Sequence, residues 1–174
     1  GTGPALRAFE GELTGVGIAY LFVLALGERG YRIARLDDDD ASRMLDLVTL
    51  GTVSDVGALQ GSNRILVRHG LEVLRRSDRP GIRAMMRHGE FDPAKLTAVR
   101  ISFGLGPRLN AAGRVASPRT ALRLLLTDDD DEANALAMTL ENWNHTRRLR
   151  TDDILKEVAE KILRLPDWKT RPFI

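Results

Sequence analysis

Apolar residues recur at helical spacing through the last part of the chain, from position 127 almost to 166. A helix of about 37 residues would be about 55 Å long at about 1.5 Å per residue. That length is too great for a compact ball of 174 residues. Its middle, 144–153, is strongly polar, and a helix with apolar ends and a polar centre is typical of a bridge between two bodies. The pattern therefore predicts a long connecting helix over 127–165, between a folded body at 1–126 and the start of a second domain at 166–174.

The rest of the chain is also predicted to be mainly helical. Two aspartate runs, 37–40 and 128–131, are predicted to cap helices, with Asp40 as the N-cap of a helix over 41–50 and Thr127 opening a capping box. Glycine and β-branched residues at 51–53 should interrupt helical structure, and Pro118 should open a helix ending at 126. The longest apolar run has nine residues, at 18–26, and a bilayer span needs about 20. We therefore expect a globular, cytoplasmic protein with no membrane partner.

The distribution of charge along the chain is more informative about binding partners than the net charge of +2. Eight of the 24 acidic residues lie in the two aspartate runs, which leaves 26 − 16 = +10 over the remainder. Much of that excess is arginine between positions 64 and 123, and such a cationic surface suits a polyphosphate partner. A solvated helical surface rich in arginine remains an equal alternative. The chain has no cysteine, which excludes disulfides, thiolate chemistry and cysteine-based zinc sites.

The stretch GTVSDV at 51–56 places Asp55 among apolar neighbours. A carboxylate that enters an apolar region must be paired, hydrogen-bonded or metal-bound, because burying it alone is too costly. On the residues alone, an N-cap or a partner for an arginine is favoured over a metal ligand.

The stretch GPRLNAAGR at 106–114 is predicted to be a tight turn. Small residues ending at Gly113 would present backbone N–H groups to an anion. Arg108 and Arg114 could offer planar guanidinium groups to phosphate oxygens, and Asn110 adds a neutral donor. The alternative is a helix–turn–helix corner whose arginines pair with nearby aspartates.

Two segments together resemble the RecJ family of single-strand-specific DNA exonucleases, within the DHH phosphoesterases. They are LDLVTLGTVSDVGALQGSNRILVRHGLEVLRR and FGLGPRLNAAGRVASPRTALRLLLTDDDDEANALAMTLENWNHTRR, and the likeness runs from about 14 to about 164. It implies that the chain is the C-terminal half of an α/β DHH-type domain plus a long connecting helix. It also implies a 5′→3′ exonuclease of DNA repair and recombination, which uses two Mn²⁺ or Mg²⁺ ions and acts on single-stranded DNA. A single-strand-binding protein or a helicase would be a further partner.

The resemblance also implies roles for single residues. Asp55 takes the position of a catalytic metal ligand, while Arg108, Asn110, Gly113 and Arg114 take positions that contact nucleic acid. The family's Asp-x-Asp-Gly stretch and Asp-His-His triplet are absent from this sequence. One aspartate cannot clamp two cations about 3.5–4 Å apart, so the chain alone is expected to have little or no nuclease activity. A non-catalytic DNA-binding relative and a helical interaction scaffold are the rival hypotheses.

Overall fold

The fold is built from helices alone throughout the residues that the computed structural model describes, 13–31 and 38–164. The first five are α1 (Gly15–Glu28), α2 (Asp38–Arg43), α3 (Leu45–Ser54), α4 (Gly61–Arg75) and α5 (Pro80–His88). A 3₁₀ turn (Pro93–Lys95) and the short α6 (Ala98–Arg100) follow, then a π-helical turn (Ile101–Leu105), α7 (Gly106–Val115), α8 (Pro118–Leu126) and α9 (Asp130–Leu163). The prediction of a mainly helical chain is confirmed. The first residue of the aspartate run, at position 37, and the predicted start of a second domain at 166–174 lie outside the described residues.

One apolar core holds α3, α4, α5, α7, α8 and the first half of α9 together. Its fully buried side chains include Leu74, Ile82, Leu105, Leu124 and Leu140, and burying each one contributes about 1.5–3 kcal/mol. Two glycines let the backbones approach closely at this core. A Cβ on Gly70 of α4 would lie 2.2 Å from the Leu45 carbonyl oxygen of α3, and one on Gly81 of α5 would lie 1.9 Å from that of Leu124. Larger residues at these two positions would force the helices apart.

The prediction of one helix over 41–50 is wrong in both its start and its end. Helical structure begins earlier, so Asp40 lies inside α2 and is not an N-cap. It is interrupted at Met44, and α3 then continues through the glycine and β-branched residues at 51–53. Packing overrides their low helix propensity, because a Cβ at Gly51 would lie only 2.9 Å from Val16 of α1. The hydroxyl of Thr52 also shares a 2.9 Å hydrogen bond with that of Thr14.

The prediction of a tight turn at 106–114 is also wrong, since this stretch is α7. Helical structure is continuous from 98 to 115, with the π-helical turn immediately before α7. In a regular helix Pro107 would remove a hydrogen bond and clash with the carbonyl four residues earlier. Just before Pro107, the Gly106 N–H instead donates to the Ile101 carbonyl five residues earlier, and π turns of this kind are frequent at functional sites.

The long helix is present as α9, with 34 residues and a length of about 51 Å. Its N-cap is Asp129 and not Thr127, because the Asp129 carboxylate accepts a 2.8 Å hydrogen bond from the Glu132 N–H. Ala133, Ala137 and Leu140 are buried against the core, whereas every residue from 148 to 161 is exposed. No helix in the described ranges combines the length and the apolarity needed to cross a lipid bilayer.

Candidate nucleic-acid interface

The C-terminal end of α3 displays the carboxylate of Asp55 to solvent. The N–H groups of Val56 and Gly57 turn back to the carbonyls of Val53 and Thr52, at 3.2 and 2.9 Å, which is the Schellman pattern of a helix end. The residue at the left-handed position is Val56, with φ of 56°. This conformation is unusual for a β-branched residue and costs about 1–3 kcal/mol, and such strain concentrates at functional sites.

The surroundings of Asp55 match neither of the interpretations that its sequence favoured. It lies at the C-terminal end of a helix, so it is not an N-cap, and its side chain makes no ion pair with any residue of 13–31 or 38–164. A carboxylate beside the negative end of a helix dipole is unfavourably placed. A cation bound at this carboxylate would offset that cost.

The N-terminal half of α7 packs beside the same end of α3. A Cβ on Gly106 would lie 2.7 Å from the Ser54 hydroxyl oxygen, so any larger residue here would have to displace the Ser54 side chain. One turn later, the side-chain amide of Asn110 donates to the Ser54 carbonyl at 3.5 Å. The structure therefore brings Asn110 next to Ser54, the residue that precedes Asp55, although 56 positions separate Asn110 from Ser54 in sequence.

Gly113 and Arg114 lie three and four residues after Asn110, so they follow it on the same side of α7. Both are exposed, and a Cβ on Gly113 would have no neighbour within 4 Å. The Arg114 side chain has no hydrogen-bond or ion-pair partner in the part of the chain that the structure describes. We call the surface formed by Asp55, Asn110, Gly113 and Arg114 the α3–α7 face.

The predicted backbone role of Gly113 is wrong, because its N–H lies inside α7 and belongs to the hydrogen bonding of that helix. What the residue contributes is an open, unobstructed surface between Asn110 and Arg114. A glycine in the middle of a helix costs about 0.5–1 kcal/mol relative to alanine, and packing within the described residues does not require this one.

Arg108 is placed differently from the expectation that it faces phosphate. It is about 200° from Asn110 around the helix axis, at about 3.6 residues per turn, and it points toward α9. Its Nε donates to Oε2 of Glu141, its Nη2 donates to Oε1 of the same residue at 3.1 Å, and its Nη1 donates to the Gly104 carbonyl at 2.9 Å. Its side chain is 13% exposed. The open alternative, arginines paired with nearby aspartates, is met only in part: Arg108 pairs with an acidic residue, but that residue is Glu141 of α9. Arg114 has no such partner within the described residues.

The buried carboxylate of this region is Asp46, which the sequence analysis did not single out. It is 2% exposed at the start of α3. It accepts hydrogen bonds from the Leu47 N–H at 2.6 Å, the Ser77 hydroxyl at 2.8 Å and the Arg79 Nε at 2.9 Å. These bonds tie the beginning of α3 to the α4–α5 connection. Positions 46, 49, 50 and 53 are all buried, and their helical spacing is a signal in the sequence that could have identified Asp46.

The metal donors near Asp55 are few. Within 13–31 and 38–164, no group of three or more histidine, aspartate or glutamate residues is arranged to hold a metal ion. Asp55 can serve as one oxygen ligand of the kind that Mg²⁺ and Mn²⁺ prefer. The described residues fit one ligand position and do not form a complete two-metal site.

Comparison with known proteins identifies relatives of one kind, although no protein-family model matches the chain. The chain is 43% identical over 142 residues to the single-stranded-DNA-specific exonuclease RecJ of Dickeya dadantii and 42% identical over 148 residues to that of Escherichia coli. These alignments cover 78% and 79% of this chain but only 25% of each relative.

Comparison of the fold with solved structures also identifies RecJ proteins. The crystal structure of Thermus thermophilus RecJ in complex with Mn²⁺ matches with a TM-score of 0.76 at 34% identity, over 94% of this chain and 24% of that chain. The structure of the same protein with Mg²⁺ matches with a TM-score of 0.74 at 36% identity, over 88% of this chain and 24% of that one. The chain is therefore a relative of the RecJ exonucleases, matching in sequence and in fold one segment of about a quarter of their length.

Proposed function

We propose that this chain is part of a single-stranded-DNA-specific 5′→3′ exonuclease that hydrolyses phosphodiester bonds with the help of Mn²⁺ or Mg²⁺. The observation that carries the proposal is the contact of Asn110 with the Ser54 carbonyl, which places α7 beside Asp55. In this proposal the described helices are the C-terminal half of an α/β DHH-type catalytic domain, and α9 connects it to a second domain. The similarity of this chain to RecJ exonucleases, in sequence and in fold, supports the proposal.

Each residue of the α3–α7 face has a role in this proposal. Asp55 is one ligand of a two-metal site, and it is the catalytic residue of this segment. Arg114 donates to a phosphate oxygen near the metals, Asn110 adds a neutral donor, and Gly113 lets the sugar-phosphate backbone approach α7. When bound, the metal pair activates the attacking water and stabilises the leaving oxygen. The remaining metal ligands belong to other segments of a full-length protein.

The cellular setting follows from the same likeness. We propose a cytoplasmic enzyme of DNA repair and recombination whose substrate is single-stranded DNA, and which receives that substrate from a single-strand-binding protein or a helicase. A non-catalytic nucleic-acid-binding relative is the second candidate function. One observation favours it: among the described residues, Asp55 belongs to no group of three or more histidine, aspartate or glutamate residues arranged to hold a metal ion.

An experiment on the full-length protein separates the two candidates. We expect a full-length protein with this segment to degrade a 5′-phosphorylated, labelled single strand in the presence of Mn²⁺. Asp55→Ala should lower the rate at least about 100-fold, because losing even a supporting residue of a metal site costs about 10–100-fold. Asp153→Ala is the matched control, since it removes an exposed aspartate of α9 and should leave the rate unchanged.

Two results would count against the enzyme. Degradation that is equally fast in the Asp55→Ala protein would remove Asp55 from the metal site. A full-length protein that binds single strands but does not cleave them in Mn²⁺ or Mg²⁺ would favour the non-catalytic relative. The 174-residue chain by itself should show only background cleavage in the same assay, because one carboxylate cannot hold two cations.

A further inference from the structure

We infer that Glu141 of α9 is a positioning residue for the nucleic-acid interface, acting through Arg108. The inference rests on the proposed function for the identity of the ligand. Glu141 meets α7 on the side opposite Asn110, and its hydrogen bonds and ion pair within the described residues go to Arg108 and not to the α3–α7 face. Its contact is with Arg108, two positions before Asn110 on the same helix.

The ion pair between Arg108 and Glu141 is bidentate. Both carboxylate oxygens accept from the guanidinium, and a third guanidinium nitrogen donates to the Gly104 carbonyl at 2.9 Å. Paired hydrogen bonds of this kind restrict rotation as well as distance. The pair is well shielded, with side-chain exposures of 13% for Arg108 and 30% for Glu141, so it is screened less than a surface pair.

The ring of Phe91 closes the other side of the guanidinium. The Arg108 Cζ lies 5.1 Å from the centre of that ring, a cation–π distance. Two glycines make space for the ring, because a Cβ on either Gly89 or Gly104 would lie 2.3 Å from a Phe91 ring carbon. Arg108 is therefore confined by a carboxylate, a carbonyl and an aromatic ring.

This confinement fixes how α7 is rotated about its own axis. On the side of α3, α7 is held by the close approach of Gly106 and by the Asn110 hydrogen bond, which at 3.5 Å is at the limit of such a bond. On the side of α9, the stronger bidentate pair holds it. Releasing that pair should allow α7 to roll, which would carry Asn110 and Arg114 away from Asp55.

If Glu141 blocked the interface instead of positioning it, its removal would have the opposite effect on nucleic-acid binding. If Arg108 were a phosphate ligand that Glu141 blocks, then removing the carboxylate would free the guanidinium and strengthen binding. The sign of the change caused by Glu141→Ala therefore separates positioning from blocking.

The test uses the 174-residue chain and a 5′-phosphorylated, fluorescent single-stranded oligonucleotide, with affinity measured by anisotropy. Glu141→Ala and Arg108→Ala should each weaken binding about three- to thirtyfold, the usual range for residues that act without touching the ligand. The double variant should be no weaker than either single variant, because both remove the same pair. Glu141→Gln keeps the shape and part of the hydrogen bonding, so it should fall between wild type and Glu141→Ala. Thermal unfolding of each variant checks that the chain is folded, and Glu141→Gln carries the test if Glu141→Ala is not.

Three results are distinguishable from the expected one. Tighter binding by Glu141→Ala would overturn positioning and establish blocking. Unchanged binding by both Glu141 variants, with binding weakened in Arg114→Ala, would overturn the role of Glu141 and leave the proposed function intact. A wild-type chain that binds no oligonucleotide, or an Arg114→Ala chain that binds as well as wild type, would instead contradict the proposed interface.

Discussion

Replacing Asp46 with alanine is expected to lower the free energy of unfolding by about 3 kcal/mol, because removing one partner of a buried ion pair typically costs about 3–5 kcal/mol. The lower end applies because the partner, Arg79, has a side chain 29% exposed and can recover part of its hydration. The Ser77 hydroxyl and the Leu47 N–H lose their acceptor as well. Asp46→Asn keeps the shape but not the charge, so it should lose less than Asp46→Ala.

Urea denaturation at neutral pH measures this loss. Asp153→Ala on the exposed part of α9 is the control, and it should change the free energy of unfolding by less than about 0.5 kcal/mol, as is usual for surface substitutions. A loss below about 1 kcal/mol for Asp46→Ala would show that the three hydrogen bonds of this carboxylate contribute little. The position matters for function because Asp46 fixes the start of α3, the helix that ends at Asp55.

Replacing Arg114 with alanine is expected to weaken the binding of single-stranded DNA about tenfold. A hydrogen bond to a charged group contributes about 1.5–3 kcal/mol, and about 1.4 kcal/mol corresponds to a tenfold change in affinity. Arg114 has no ion-pair partner within the described ranges that must first be displaced. The loss should be equal for every base sequence, because contacts to phosphate carry no base information.

The dependence of affinity on salt identifies the kind of contact that is lost. For single strands, the slope of log affinity against log salt concentration changes by about 0.7 for each phosphate contact, and Arg114→Ala should reduce it by that amount. Arg119→Ala is the matched control, since Arg119 is an exposed arginine of α8. If the two variants behaved alike, or if the wild-type affinity changed little with salt, the arginines would belong to a helical scaffold for protein contacts.

The sequence predicts the long elements of this fold well, for local reasons. Helix α8 begins and ends where predicted, with Pro118 in its first turn and Thr127 just beyond its end. The long helix was placed within three residues of its observed start and two of its end, because its apolar spacing is sustained over many turns. Only its cap was misplaced, by two residues within a run of similar polar side chains.

The failures arise where tertiary contacts override local preference. Gly51 was expected to interrupt a helix and Gly106 to begin a turn. Each lies inside a helix instead, and its missing side chain leaves room for Val16 or Ser54. The turn expected at 106–114 would have gathered Arg108, Asn110 and Arg114 on one side. A helix separates Arg108 from the other two, and this single difference explains why Arg108 meets Glu141.

The sequence predicted the residue types of the candidate site but not the hydrogen-bond and ion-pair partners of those residues. Asp55 was weighed as a carboxylate entering an apolar region, but it is exposed, and the buried carboxylate of α3 is Asp46. Helical spacing could have shown that Asp46 faces inward, but it could not have identified its partners, because Ser77 and Arg79 lie 31 and 33 positions away. Glu141 was not predicted either, because its partner Arg108 lies on another helix, 33 positions away.

The most direct test of the account is whether one strand of DNA contacts the end of α3 and the exposed side of α7 at the same time. Amide NMR spectra of the ¹⁵N-labelled 174-residue chain, titrated with a 5′-phosphorylated single-stranded oligonucleotide, measure this. The account predicts that the signals of 54–57 and of 110–114 shift together, with one dissociation constant, and that Arg114→Ala weakens both responses equally. Shifts confined to one of the two segments, or dissociation constants that differ between them, would contradict it.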